Sequence, residues 1–171
     1  ESLVQHDLNR GLEADYALVA YGGNDSDYDW AAIDADPAGD HRPRTELPAF
    51  REKLRHTVTM LRERGIQPVL MSLPPIDAAR YLAFICRDGL RKERIMDWLG
   101  DVQMIYRHQE MYSDAVTQLA YAEGLPLIPV REEFLNDHRL MRLIAADGIH
   151  LTMPGYERLF DTLADWLRIR V

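Results

Sequence analysis

Three short apolar runs, each bounded by glycine or proline and separated from the next by helical patterning, limit what this chain can fold into. The first is Tyr16-Ala-Leu-Val-Ala-Tyr21, stopped by Gly22-Gly23. The second is Pro68-Val-Leu-Met-Ser-Leu73, stopped by Pro74-Pro75, and the third is Leu125-Pro-Leu-Ile-Pro-Val130. Runs this short without polar alternation suit strands buried on both faces, the condition of a parallel sheet. The prolines of the third run remove ladder donors and place it at an edge.

The segments between the runs read as helices. Thr45 caps a long helix whose Leu47, Phe50, Leu54, Val58 and Leu61 face inward, with Gly65 at its end. From Asp77 to about Leu99 the pattern is helical, and a further helix covers Met104 to Glu123 with Ile105, Tyr112 and Val116 on its apolar side. Glu132 to Leu135 and Leu140 to Ile144 read as short helical turns. Thr152 and Pro154 open a last helix with Tyr156, Leu159, Phe160, Leu163, Trp166 and Leu167 on its buried stripe. Glu1 to Leu12 carries Leu3, Val4, Leu8 and Leu12 on one stripe and reads as the tail of a helix. Strands alternating with helices, without repeat or linker, predict one α/β domain over residues 1–171, a parallel sheet covered on both faces.

A formal net charge of -8 argues against a nucleic-acid or anionic-membrane surface. No apolar run approaches the ~20 residues of a membrane span. The single cysteine, Cys86, excludes an internal disulfide and leaves the compartment open. The start, Glu1-Ser-Leu-Val, has neither a Met nor signal-like regions and reads as a cut, so localisation is not legible.

Sites in open α/β sheets form at the carboxyl ends of strands, which is where Gly22-Gly23-Asn24-Asp25 falls. Glycines let the backbone turn sharply, and an Asn amide there can donate to an oxygen that gains charge in a transition state. The same residues also make a plain Gly-Asn turn. Before the last helix, Asp147-Gly-Ile-His150 fits a base and its orienter, the carboxylate holding one ring nitrogen and leaving the other to take a proton. The competing reading is a surface loop whose Asp and His cap the final helix.

With these two motifs and this helix order, the chain resembles the SGNH or GDSL-type hydrolases. Their third block, Gly-x-Asn-Asp, is matched by Gly22-Gly23-Asn24-Asp25, and their fifth, Asp-x-x-His, by Asp147-Gly148-Ile149-His150. The strand ending in Pro74-Pro75 also looks like the family's, and the resemblance covers essentially the whole chain. It implies a flavodoxin-like three-layer α/β/α fold and Ser-His-Asp hydrolysis of short acyl or O-acetyl esters, with no metal or cofactor. It also implies His150 as general base, Asp147 as its orienter, Asn24 as oxyanion-hole donor, and Gly22 and Gly23 as residues shaping that hole.

The family's first block, a Gly-Asp-Ser after the first strand, is absent, as is its second-block glycine. Ser2 and Ser113 lie on predicted helices, Ser72 lies within a strand and Ser26 follows the third block, so none has the strand-turn-helix setting of a nucleophile. The expectation is that the first two strands and the nucleophile lie upstream of Glu1, that Tyr16 to Tyr21 is a bare sheet edge, and that a separate N-terminal segment completes the sheet. These residues alone are then close to inactive. The alternative is a non-catalytic domain of the same fold that holds a small ligand or a glycan.

Three other features carry readings of their own. Asp25-Ser-Asp-Tyr-Asp29 resembles the start of a calcium loop, but Trp30 stands where the turn needs glycine. The acidic stretch from Asp25 to Asp40 is either a filter over the site against anionic substrates or a solvated loop. Tyr81, Phe84, Trp98, Tyr106 and Tyr112 either line an acyl pocket or form core, and His6, His41, His56, His108 and His138 read as surface or helix residues without ligand spacing.

Overall fold

In the computed structural model, which describes residues 6, 9–11 and 13–170, the three apolar runs are the three strands. Strands β1 (Tyr16–Val19), β2 (Gln67–Met71) and β3 (Leu127–Ile128) form a parallel sheet in the order β1-β2-β3. Leu18 pairs with Val69 and Val19 with Leu70, and on the other side Leu70 pairs with Leu127. Central β2 is buried on both faces because successive side chains alternate: Leu70 enters one core, Val69 and Met71 the other. The proline-bounded β3 is an edge, as its sequence requires.

Seven helices of the described residues surround the sheet: α1 (Trp30–Ala35), α2 (Leu47–Arg62), α3 (Ala78–Ile85), α4 (Lys92–Leu99), α5 (Gln103–Glu123), α6 (Val130–Leu135) and α7 (Met153–Arg170). On one face α2 and α5 bring Leu54, Val58, Tyr112 and Val116 against Leu70 and Val19. On the other, Val130 and Phe134 of α6 pack on Val69 and Ile128, joined by Leu159, Leu163 and Trp166 of α7. This is the three-layer α/β/α arrangement that the resemblance implies. A third cluster stands apart from both: Trp30 and Ile33 of α1, Leu82 of α3 and Ile95 of α4 meet around Ile105 of α5. No helix among the described residues is long and apolar enough to cross a membrane.

Several local expectations are corrected. Helix α2 starts at Leu47 behind Glu46, with Pro48 in its first turn, and Thr45 does not cap it. Thr45 instead donates its N–H to the Asp25 carbonyl and accepts the Tyr112 hydroxyl at 2.6 Å, which ties the β1 loop to α5. The stretch from Asp77 to Leu99 is two helices because the chain turns through Arg87-Asp88-Gly89, where Gly89 takes φ 101°. Most consequential is α7: Leu159, Leu163 and Trp166 pack as expected, but Tyr156, Phe160 and Leu167 are exposed, Phe160 by 70%. The helix meets β3 and α6 along one narrow strip, so half of its apolar stripe faces outward. The proposed helix over Glu1 to Leu12 lies largely outside the described residues.

Strand β1 is the opposite edge of the described sheet. Ala17 and Val19 enter the α2–α5 core, while Tyr16 and Leu18, on the other face, are 60% and 50% exposed. Together with Val69, Ile128, Leu163 and Trp166 they line an apolar groove of about 410 Å³.

The two apolar faces should therefore respond differently to truncation. Phe134→Ala, in a fully buried position, is expected to cost about 3–5 kcal/mol by urea denaturation. Leu18→Ala should stay within about 0.5 kcal/mol. Equal costs would mean that the β1 face is as well packed as α6.

Candidate active site

The chain leaves β1 and doubles back at once through residues 22–26. Gly22 makes this turn: its φ of 125° is outside the range of most side chains, and a Cβ there would sit 3.0 Å from Leu73 Cδ1 and 3.3 Å from Phe50 Cζ. Ser26 closes the turn, its N–H donating to the Gly22 carbonyl and its hydroxyl to the Gly23 carbonyl at 2.9 Å. Gly23 and Asn24 are left at the exposed crest, and the Asn24 amide has no side-chain hydrogen bond among the described residues.

His150 arrives from the other end of the chain. Asp147 accepts the N–H groups of Ile149 and His150 on one carboxylate oxygen, both at 3.0 Å, and the other oxygen lies 2.7 Å from His150 Nδ1. Burial raises the Asp147 pKa, but hydrogen bonds from His150 and Ile149 outweigh it, and the carboxyl is held below its usual range. A carboxylate bound in this way fixes the Nδ1–H tautomer and leaves Nε2 as the basic nitrogen. The His150 ring is itself largely exposed.

The loop is anchored through Gly148, whose carbonyl accepts the Asp77 N–H at 2.8 Å at the start of α3. With φ 82°, a Cβ on Gly148 would fall 2.5 Å from Tyr81 N and 2.6 Å from Asp77 O, both main-chain atoms of that first turn. Asp77 caps the same turn through Ala79 N–H and Arg80 N–H. An antiparallel bridge between Ile144 and Leu151 closes the loop's base.

A cavity of about 380 Å³ is lined at once by Gly23, Asn24 and His150. Asp147 stands behind His150, and Gly22 is buried beneath the β1 turn. The remaining described serines are structural: Ser72 Oγ accepts the Arg131 N–H, and Ser113 Oγ accepts the Leu73 N–H. A profile of the GDSL-like lipase/acylhydrolase family matches residues 2–158. The chain belongs to this family.

Among similar proteins, the isoamyl acetate-hydrolyzing esterase of Saccharomyces cerevisiae is 23% identical over 118 residues, 68% of this chain and 46% of that protein. The lipase/acylhydrolase of Enterococcus faecalis superposes with a TM-score of 0.63 at 18% identity, covering 97% of this chain and 69% of that one. A catalytic mutant of an acetylxylan esterase from Geobacillus stearothermophilus gives a TM-score of 0.59 at 17% identity, covering 95% of this chain and 66% of that one. The chain thus spans about half the length of the curated relative and roughly two thirds of the solved ones.

What sequence reasoning missed around this cavity is the support behind it. Asp27 is a hub, one oxygen accepting Trp30 Nε1–H at 2.9 Å and the Tyr81 hydroxyl at 2.7 Å, the other 3.4 Å from Arg44. Burial and the Asp27 carboxylate together hold the Tyr81 hydroxyl protonated far above its usual range. Other acids of the stretch from Asp25 to Asp40, which holds α1 and is not all loop, also have structural partners: Asp29 caps α1, Asp34 within α1 binds Arg91 at the cap of α4, and Asp40 pairs with Arg42. Buried Arg131 donates to the Gln109 amide oxygen at 2.9 Å, and Gln109 in turn donates to the Pro74 carbonyl at 3.0 Å. Of the aromatics, Tyr81 and Trp98 line the cavity while Tyr112 is core. His108 is on a helix, as read, but also reaches the cavity wall, with Nδ1 3.3 Å from the Tyr28 hydroxyl.

Gly148→Ala should destabilise the protein by about 2 kcal/mol or more in urea and shift the ring ¹⁵N resonances of His150. Unchanged resonances would detach the histidine from this anchor. Burial also pushes the His108 imidazole below its usual value. A lowered folded-state pKa means stability that is complete above about 6.5 and is lost as pH falls below it. The melting temperature of His108→Gln should accordingly fall less than wild type between about pH 6.5 and 5.

Proposed function

We propose that the full-length protein is a serine hydrolase of carboxylic esters with short acyl or O-acetyl groups, working through an acyl-enzyme. The observation that carries this reading is the 2.7 Å contact between His150 Nδ1 and Asp147, on a cavity that also holds Asn24. In this reading a serine outside these 171 residues attacks the ester carbonyl while His150 Nε2 takes its proton. Asp147 steadies the imidazolium, and the Asn24 amide with nearby backbone N–H groups holds the oxyanion over the Gly22-Gly23 turn. His150 then returns the proton to the leaving alcohol, and water repeats the cycle on the acyl-enzyme. The relatives include an esterase of isoamyl acetate and an acetylxylan esterase, which supports ester chemistry.

The same proposal assigns the nucleophile to an N-terminal segment that completes the sheet, making residues 1–171 an incomplete single domain. The exposed β1 edge and the apolar groove beside it support this, since parallel strands are ordinarily covered on both faces. One observation favours the second reading, a non-catalytic domain that binds a small ligand or glycan: Ser26, Ser72 and Ser113 all have structural partners.

Denaturing intact-mass analysis after treatment with a fluorophosphonate separates the two. An adduct on a longer chain, or on a separate N-terminal one, is expected for the hydrolase; its absence from the full-length protein favours the binder. In the hydrolase, Asn24→Ala should lower turnover by about a hundredfold or more with the fold intact. A smaller loss would reduce Asn24 to a turn residue.

A further inference from the structure

We infer that Arg131 is a positioning residue for the turn that carries Asn24: it fixes the chain just beyond β2, and the Gly22-Gly23-Asn24 turn leans on that chain. The inference rests on the ester-hydrolase reading above, in which Asn24 is the oxyanion donor.

The need for such a residue begins in the sequence. Strand β2 ends at Met71, and the chain continues as Ser72-Leu73-Pro74-Pro75. Ser72 still donates its N–H to the Ile128 carbonyl at 3.1 Å. The two prolines have no N–H to give, so beyond Ser72 the segment is held by the Leu73 N–H and by donors brought to its carbonyls. Helix α5 supplies the first anchor, Ser113 Oγ, which accepts the Leu73 N–H at 3.1 Å. The carbonyls fall to Arg131 and Gln109. Arg131 Nη1 donates to the Leu73 carbonyl at 3.3 Å and to Gln109 Oε1 at 2.9 Å, and Gln109 Nε2 donates to the Pro74 carbonyl at 3.0 Å. The main-chain N–H of Arg131, in the first turn of α6, donates to Ser72 Oγ at 3.0 Å. Arg131 thus holds Ser72 and Leu73 directly and Pro74 through Gln109.

Leu73 is what the Asn24 turn rests on. A Cβ on Gly22 would come 3.0 Å from Leu73 Cδ1, and Leu73, Pro74, Gly23 and Asn24 line one cavity. A displacement of Leu73 is passed by contact to Gly22, and from there to Asn24 two residues on.

The state of the guanidinium argues that it supplies position and not stability. Arg131 is 9% exposed, and its Nε and Nη2 are buried with no hydrogen-bond partner among the described residues. Glu110 stands 3.8 Å from Nε and is half exposed, and the guanidinium lies over the Tyr106 ring, 5.0 Å from its centroid. A buried cation paired so incompletely carries a desolvation cost that an apolar side chain of similar length avoids. What the apolar side chain lacks is a rigid, planar donor that meets two oxygens from one nitrogen.

The test uses the full-length protein and p-nitrophenyl acetate. Arg131→Met should lower kcat by about tenfold or more, with KM within about twofold of wild type, because the loss falls on the transition state. In an Asn24→Ala background, where the positioned group is gone, the same substitution should change kcat by less than about twofold. Arg131→Lys keeps one donor nitrogen and should fall between Arg131→Met and wild type. It should also shift the Asn24 side-chain amide resonances in a ¹H–¹⁵N spectrum, a readout that needs no turnover and serves if Arg131→Met does not fold. Equal losses in both backgrounds, a loss confined to KM, or Asn24 resonances unmoved by Arg131→Lys would overturn the inference. Failure of the hydrolase reading looks different: full-length protein that turns over no ester while the Asn24 resonances still follow Arg131.

Discussion

The close approach of the Gly148 backbone to the first turn of α3 is the contact on which the rest of the site depends. His150 is near the end of the chain and Asn24 near its start, and neither belongs to an element that touches the other's. What places His150 on the shared cavity is a loop seated so tightly on Asp77 and Tyr81 that no side chain fits between. The opposite wall is set in the same way, where Gly22 lies against Leu73 and Phe50 and turns Asn24 outward. Both positions are backbone-to-core contacts, so Asn24 and His150 are carried on segments held against the central layers.

Behind these contacts stands a polar scaffold of side chains bonded to one another. Arg131, Gln109 and the Pro74 carbonyl tie the end of β2 to α5 and α6, and Asp27 ties the β1 loop to α1 and α3. Buried polar groups of this kind are costly unless fully partnered, and pairing most of them to each other both rigidifies the walls and leaves them chemically quiet. A half-exposed wall of aromatic and aliphatic side chains results, with Asn24 and His150 on its rim.

Much of this was legible in the residues. The strands could be read because apolar runs of five or six residues ending in Gly-Gly or Pro-Pro have few other uses, and the edge position of β3 followed from two missing N–H groups. The pairing of Asp147 with His150 was readable because a three-residue spacing lets one carboxylate cap the turn and face the ring. The Asp27 hub was not readable. Its partners Trp30, Arg44 and Tyr81 are 3, 17 and 54 positions away, and among six aspartates between Asp25 and Asp40 nothing marks the one that faces inward. The last helix misled for a related reason: apolar periodicity reports a face that can be covered, and Tyr156, Phe160 and Leu167 are left outside by what α7 packs against. The break between α3 and α4 was hidden by apolar residues on either side of Gly89, where backbone conformation outweighs periodicity.

The cluster formed by α1, α3 and α4 is separate from the two cores that grip the sheet, and Asp34 fastens α1 to α4 through Arg91. Trp30 and Trp98 belong to that cluster, whereas Asn24 and His150 are fixed by contacts with strand ends and α3. One wall of the cavity and the seat of the His150 loop consequently share α3, through Tyr81 and Ile149. A change in α1 or α4 is therefore transmitted to the His150 loop through α3, and to the turn that carries Asn24 through Asp27.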